Sequence, residues 1–254
     1  MPYTLNHLSL LFLSNPYSIF PLGDSAATID LGNTIDETLN DKVIAMEQWL
    51  LANPCEGFKD VIVAYSSITI IYDTALIKRL FHPASTVFDF VKQKLQQAYY
   101  NSLVLPAEDS ATIHITVCYD NEFGIDLNHM AEQKQMSKEE IVQLHTSKQY
   151  RVYMIGFLPG FSYMAEVDER LVTPRKERPV NVVPGSVGIA GAQTGIYPFH
   201  SPGGWHIIGR TPVKLFDPAS KELIKLKAGD RVKFYAISRE EYQNVEMHEA
   251  RNKM

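Results

Sequence analysis

Residues 191–211 read GAQTGIYPFHSPGGWHIIGRT. Glycine and proline interrupt this stretch every few positions, and WHIIG within it has the apolar, β-branched character of a short buried strand. Similar short strands separated by Gly and Pro lie on both sides of it: RVYMIGF (151–157), SVGIAG (186–191), VKLFD (213–217) and RVKFYAI (231–237). This spacing predicts a barrel or sandwich built mainly of β-strands.

The first hundred residues mix strand-like and helix-like segments. Two hairpins are predicted, at residues 19–31 and 60–73, from β-branched and aromatic runs around turn residues. Apolar side chains recur at helical spacing from Leu39 to Leu50 and again from Pro83 to Tyr100. The pattern predicts a small α/β domain over residues 1–104.

The boundary with the remainder, residues 105–254, falls within a polar segment at 101–110. Ser137 and Glu140 have the spacing of a capping box, which predicts a helix that ends near His145. The expected fold class is therefore an α+β N-terminal domain followed by a mainly β domain.

Composition narrows the class of protein. The formal net charge is −5 and the basic residues are scattered, which excludes the electrostatic signature of a nucleic-acid-binding protein. Cys55 and Cys118 lie far apart without a CxxC pair, which indicates a reducing compartment and no cysteine metal cluster. No basic residue precedes the apolar run at 8–13, and no run approaches the roughly 20 residues that span a bilayer. We expect a cytoplasmic protein with no membrane partner.

A candidate binding site lies between residues 156 and 212, where glycine and proline are dense. Barrel turns alone would explain those residues, but aromatic and polar side chains alternate with them, as in concave ligand sites. The aromatic members are Phe157, Phe161, Tyr163, Tyr197, Phe199 and Trp205, and the polar ones are Arg175, Gln193, His200, Ser201 and Arg210. Arg175 and Arg210 lie beside turns, and their planar guanidinium groups suit a phosphate or a carboxylate.

Two other patterns give weaker signals. Residues 204–211 nearly match a phosphate-binding loop, but Pro212 keeps Thr211 extended where such a loop needs a helix. Glu122 and Asp126 could bind a cation or act as a base, although loop and helix-cap roles are more common for such residues.

The histidines leave alternatives open. His145, at the end of a predicted helix, is either a hydrogen-bonded structural residue or a catalytic one. His200 and His206 have no third ligand nearby, so no protein-only metal site is predicted.

Four segments of the chain resemble the family of 5-oxoprolinase B subunits, which overlaps with proteins called allophanate hydrolase subunit 1 and sporulation kinase inhibitors. They are CYDNEFGIDL, EEIVQLHTSKQYRVYMIGFLPGFSYM, TPRKERPVNVVPGSVGIAGAQTGIYPFHSPGGWHIIGRTPVKLFD and LKAGDRVKF. The similarity runs from about Ser18 to Tyr242.

The resemblance implies an architecture and an activity. The architecture is a carboxyltransferase domain, subdomains C and D, with a cyclophilin-like β-barrel over residues 105–254. The activity is that of one component of an ATP-dependent 5-oxoprolinase, which cleaves 5-oxoproline to L-glutamate. This component works together with the C and A subunits of the enzyme and is inactive alone. ATP with Mg²⁺, on this chain, on the C subunit or between them, would activate the lactam oxygen.

Within that activity, three residues are expected to be catalytic: His145, Arg175 and Arg210. The expected substrate-binding residues are Phe157, Pro159, Gly160, Phe161, Gln193, Tyr197, Ser201 and Trp205. In this hypothesis the guanidinium groups stabilise charge on the reacting oxygens, the aromatic rings wall the lactam and His145 moves a proton.

The chain departs from the family pattern in three places. Ser162 stands where the family usually has proline, and Val180 stands where it has a second arginine, which weakens any two-arginine clamp. Residues 1–16 precede the usual family start and are either an extension or the product of a misplaced initiation codon. Two alternative functions stay open: a regulatory inhibitor that binds a sporulation-type histidine kinase, and an allophanate hydrolase subunit.

Overall fold

The computed structural model describes residues 16–103, 112–218 and 223–251. The chain divides into two compact units, Met1–Val104 and Leu105–Met254. Apart from Pro16, the N-terminal extension lies outside the described residues, as does most of the polar segment before the second unit. None of the helices in the described ranges has the length and apolar character needed to cross a membrane.

The first unit is a four-stranded antiparallel sheet with helices packed on it. Its elements are β1 (Ser18–Pro21), β2 (Ala26–Asp30), α1 (Glu37–Ala52), β3 (Phe58–Val63), β4 (Ser67–Tyr72), α2 (Thr74–Phe81) and α3 (Val87–Asn101). The strand order is β1-β2-β4-β3, so both predicted hairpins are confirmed.

The helices of this unit begin at capping side chains. The Asp36 carboxylate accepts a hydrogen bond from Leu39 N at the start of α1, which confirms the predicted helix. The second predicted helix starts later than Pro83, because Thr86 caps α3. Helix α2 is absent from the sequence prediction, since it has eight residues and buries only Ile77.

The second unit is built on a seven-stranded mixed sheet with the order β12-β9-β10-β7-β6-β13-β5. Its strands are β5 (Ile113–Val117), β6 (Gln149–Ile155), β7 (Ser162–Ala165), β8 (Val180–Val182), β9 (Ser186–Ala190), β10 (Gln193–Ile196), β11 (Ser201–Gly203), β12 (His206–Arg210) and β13 (Arg231–Ala236). The helices are α4 (Leu127–Lys134), α5 (Lys138–Ser147) and α6 (Arg239–Arg251), with a 3-10 helix at Glu169–Leu171. Strands β8 and β11 pair with each other as a separate ribbon.

The edges of the seven-stranded sheet meet. Cys118, just after β5, donates its N–H to the carbonyl of Arg210 on β12 at 2.8 Å, and Arg210 N donates back at 2.9 Å. The sheet is thereby nearly closed around a buried apolar core that includes Ile115, Val152 and Phe234. The predicted fold class, an α+β domain followed by a mainly β barrel-like domain, is confirmed.

Local predictions in this unit have mixed outcomes. The Ser137–Glu140 capping box begins α5 as expected. Helices α4 and α6 are additional to the single helix predicted. The prediction of a strand at residues 213–217 is wrong, because the structure has only an isolated bridge from Phe216 to Ile224 there.

Gly209 lies where the sheet closes, and a side chain there has no room. A Cβ atom would lie 2.8 Å from both Cys118 O and Val117 Cγ1. We expect Gly209→Ala to lower the free energy of unfolding by about 1–3 kcal/mol, measured by denaturant titration. The matched control is Gly156→Ala, whose Cβ would meet the flexible Met154 Cε at 3.1 Å. Equal stability of the two variants would contradict this role for Gly209.

Candidate functional site

A cluster of aromatic rings in the second unit centres on Phe161. Its ring centroid lies 4.7 Å from that of Tyr163, 4.9 Å from Tyr197 and 5.4 Å from Trp205. The planes of Phe161 and Trp205 meet at 88°, the edge-to-face arrangement that ring quadrupoles favour. Gly195 on β10 makes room for them, because a Cβ there would lie only 3.0 Å from Trp205 Cζ3. Glycine is therefore needed where these rings approach the strand.

The rings form one side of a cleft of about 210 Å³. Its lining residues are Phe157, Phe161, Tyr163, Arg175, Pro179, Tyr197, Pro202, Gly203, Gly204 and Trp205. The structure thus brings together Phe157, Phe161, Arg175, Tyr197 and Trp205 from the predicted site. A cleft of this volume suits a small ligand.

Arg175 supplies a positive charge beside the aromatic wall. Its side chain is exposed, and its Cζ lies 6.0 Å from the Trp205 ring centroid, within the range of a cation–π contact. An exposed guanidinium against an aromatic ring can bind a carboxylate on its free edge.

The loop at residues 156–161 carries Phe157 to the cleft. Hydrogen bonds from Leu158 N to Gly156 O, at 2.8 Å, and from Phe161 N to Leu158 O, at 2.9 Å, hold it in a tight turn. Phe157 has φ +68°, a left-handed conformation uncommon for a bulky side chain, and the residue is 62% exposed. Pro159 and Gly160 shape the loop without lining the cleft, so a direct contact role for these two residues is not supported.

The ribbon of β8 and β11 lies across the other side of the cleft. It contributes Pro202 and Gly203, and a Cβ at Gly203 would lie 2.6 Å from Tyr197 Oη. Ser201 begins the ribbon strand beside the cleft; its Oγ is buried without a hydrogen-bond partner and it does not line the cleft.

Two predicted residues lie away from the cleft. Gln193 is the first residue of β10, where it pairs with Ala165 on β7 and Ala190 on β9. It lies on the same face of the strand as Gly195, but at the opposite end of β10 from the cleft residue Tyr197. Arg210 ends β12 with its Cζ 5.1 Å from the Phe123 ring. Because the strand rises about 3.3 Å per residue, Arg210 lies roughly 16 Å along the chain from Trp205. Arg210 does not line the cleft that holds Arg175, and its expected catalytic role stays a prediction.

His145 is also not in the cleft. The Thr194 hydroxyl donates its hydrogen to Gly188 O at 3.1 Å, so it accepts from His145 Nε2 at 2.9 Å. His145 Nδ1 then accepts from the Tyr119 hydroxyl at 2.8 Å, and the ring stacks on Phe234 at 4.6 Å. The side chain is fully buried, with both nitrogens engaged. These contacts favour the structural alternative for His145, and the proton-transfer role stays a prediction.

The two phenols of the cleft are neutral at physiological pH. Burial raises the pKa of Tyr197 to about 12 and also raises the pKa of Tyr163. The nearby charge of Arg175 acts in the opposite direction on the pKa of both, but the effect of burial is larger. Both hydroxyls therefore keep their protons and can serve as donors.

The sequence reasoning missed four lining residues: Pro179, Pro202, Gly203 and Gly204. The SPGG segment is visible as a turn signal, but pairing of the ribbon, rather than turn chemistry, brings it to the cleft.

The carboxylates of Glu122 and Asp126 each belong to an ion pair. Glu122 pairs with Arg239 at 2.8 Å, whereas Asp126 pairs with Lys176 at 2.6 Å. Within the described ranges, no group of three or more His, Cys, Asp or Glu side chains could hold a metal ion.

Comparison with known proteins shows the family. Residues 17–226 match the family model described as Carboxyltransferase domain, subdomain C and D. Over 232 residues the chain is 42% identical to the 5-oxoprolinase B subunit of Bacillus subtilis (strain 168), covering 89% of this chain and 95% of that protein. The chain belongs to this carboxyltransferase-domain family. Within it, the resemblance to the B subunits of 5-oxoprolinase is confirmed.

Solved structures agree on the fold. The crystal structure of TTHA0988 is similar with a TM-score of 0.72 and 32% identity, over 87% of this chain and 41% of that chain. This chain therefore spans less than half the length of that protein. Urea amidolyase from K. lactis matches with a TM-score of 0.71 over 91% of this chain and 16% of its own, at 14% identity, which shows likeness of fold alone.

The burial of His145 predicts a pH dependence of stability. Burial lowers its pKa from 6.5 to about 3, so the unfolded chain binds the proton first as the pH falls. The contribution of neutral His145 to the free energy of unfolding is fully present above pH 6.5. Between about pH 6.5 and 3 the free energy of unfolding decreases, by up to about 1.4 kcal/mol per pH unit.

Denaturant titrations at several pH values check this expectation. His145→Gln removes the titrating group, so its stability should vary less with pH than that of the unsubstituted protein. His248→Gln, at an exposed position, is the control and should keep the original dependence. Parallel curves for all three proteins would contradict a neutral, buried His145.

Proposed function

We propose that this chain is the B subunit of an ATP-dependent 5-oxoprolinase, which cleaves 5-oxoproline to L-glutamate with ATP hydrolysis. It acts in the cytoplasm with the C subunit, as a direct partner, and with the A subunit. The relatives named as B subunits of 5-oxoprolinase support this role. The observation that carries the substrate assignment is the guanidinium of Arg175 against Trp205 in a cleft of about 210 Å³.

The chemistry of 5-oxoproline fits this cleft. The molecule is a five-membered lactam with one carboxylate, so it presents a compact ring and one anionic edge. Arg175 binds the carboxylate through charge-assisted hydrogen bonds, and Phe161, Tyr197 and Trp205 wall the ring. Tyr163, half-buried and neutral, supplies a hydroxyl donor for the lactam carbonyl.

ATP with Mg²⁺ does not fit the same cleft. Ligand pockets of drug-sized molecules measure roughly 300–1,000 Å³, and a nucleoside triphosphate exceeds a cleft of about 210 Å³. ATP would therefore bind outside this cleft, elsewhere on this chain, on the C subunit or between the two. When bound, ATP supplies the activation that an unreactive amide needs before water opens the ring. The residues of this cleft bind 5-oxoproline, orient it and exclude water from its ring faces.

The two alternatives stay predictions. An allophanate hydrolase subunit would use a similar cleft for another small anion with an amide, and assays with allophanate separate it from a 5-oxoprolinase. A histidine-kinase inhibitor would bind a kinase without any need for the cleft.

Arg175 gives the sharpest test. The chain is reconstituted with the A and C subunits, and ADP release dependent on 5-oxoproline is measured. We expect Arg175→Ala to lower kcat/KM for 5-oxoproline roughly 10- to 100-fold, because a charge-assisted hydrogen bond contributes about 1.5–3 kcal/mol.

The matched control is Arg170→Ala, which removes an arginine whose ion pair with Asp168 is exposed. Such a pair contributes little, so kcat/KM should change less than twofold, roughly. Full activity of Arg175→Ala would show that this cleft does not hold the substrate.

A further inference from the structure

Arg175 is held between two anchored neighbours. On one side, His206 Nε2 donates to the main-chain carbonyl of Pro174 at 3.0 Å. On the other, Lys176 N donates to the carbonyl of Gly204 at 2.8 Å. Of the three consecutive residues, Arg175 is the one whose side chain lines the cleft.

Lys176 is anchored a second time, through its side chain. Its Nζ lies 2.6 Å from Asp126 Oδ2, and the two side chains are only 16% and 17% exposed. The same Asp126 oxygen accepts from Ile207 N at 2.7 Å, while Asp126 N donates to Ile207 O at 2.9 Å. Asp126 thus joins the loop that carries Arg175 to strand β12, two residues beyond Trp205.

The carboxylate of Asp126 is not used for its own helix. Asp126 occupies the N-cap position of α4, where aspartate usually accepts a hydrogen bond from the first turn, but it makes no such bond. Its acceptor capacity goes instead to Lys176 and Ile207.

We propose that Asp126 is a positioning residue, which acts through Lys176 to hold the Arg175 guanidinium over Trp205. The effect of this role on catalysis rests on the proposed function, in which Arg175 binds substrate. Burying two charges costs hydration free energy, and their mutual attraction offsets that cost only in part. A shielded ion pair therefore fixes the positions of its side chains more than it stabilises the fold. Here the geometry is that of a cationic group in an aromatic cleft.

A fluorescence measurement tests the positioning without any substrate. The chain has two tryptophans, Trp49 and Trp205, so Trp49→Phe leaves Trp205 as the reporter. In that background, Arg175→Ala removes the guanidinium from the ring and defines the emission change that follows from its loss.

Variants of the ion pair are compared with that reference. Asp126→Asn and Lys176→Met should each reproduce the change in Trp205 emission, because each breaks the pair, whereas Lys176→Arg should largely retain the parent emission. The matched control is Glu122→Gln, which removes a carboxylate from the exposed pair with Arg239 and should leave the emission unchanged.

A kinetic measurement in the complex with the A and C subunits follows. Asp126→Asn should raise KM for 5-oxoproline roughly tenfold while kcat stays within about twofold. Combining it with Arg175→Ala should give the KM of Arg175→Ala alone, because both act through one guanidinium.

Several outcomes would overturn the positioning role. One is a parent-like emission in Asp126→Asn, and another is a double variant whose KM factors multiply. An unchanged emission in Arg175→Ala also overturns it, because the contact is then absent in solution. If Asp126→Asn does not fold, Lys176→Met decides, since it leaves the Asp126–Ile207 bonds in place. If the ion-pair variants reproduce the emission change of Arg175→Ala, but Arg175→Ala leaves KM unaltered, the positioning role is supported and the proposed function is rejected.

Discussion

The main-chain hydrogen bonds between Cys118 and Arg210 close the sheet of the second unit, and the cleft depends on that closure. Strands β5 and β12 would otherwise present unpaired edges. Farther along β12, Ile207 N donates to the Asp126 carboxylate and Asp126 N donates to Ile207 O. These two bonds also pair the edge of β12, one of them through a side chain. Trp205, which precedes β12, is therefore fixed by the barrel itself. The aromatic wall consequently lies directly beside the strands, because Phe161, Tyr197 and Trp205 each adjoin a strand end, at β7, β10 and β12.

Those parts of the fold that have strong local signals could be predicted from the sequence. Helix α5 begins at a capping box, and the hairpins of the first unit have alternating β-branched residues around clear turns. Two of the helices that were missed, α2 and α6, have sparse apolar stripes. Helix α2 buries Ile77 alone, and of the described side chains of α6 only Tyr242 is buried. Helix α4 buries Leu127, Met130 and Ala131 but lacks a side-chain cap, because Asp126 bonds to other elements.

The site was predictable in its composition but not in its arrangement. Aromatic residues and Arg175 stand out among glycines and prolines, and the structure gathers them in one cleft. The sequence cannot show that Tyr119 and Thr194, 26 and 49 positions away, satisfy both nitrogens of His145. Nor can it show that Lys176 pairs with Asp126, 50 positions earlier. Partners at such separations are determined by tertiary structure, which periodicity and motif spacing do not encode.

The order of the strands has a consequence for biosynthesis. Strand β5 pairs in parallel with β13, in a register that joins Ile113 to Val232, so the ribosome makes the first strand of the barrel long before its neighbour. At about 5–20 residues per second, β5 waits roughly 6–24 s for that partner. During this time its β-branched residues are exposed to other nascent chains and to chaperones. The connectivity that nearly closes the barrel thus leaves its first strand in need of protection in the newborn polypeptide.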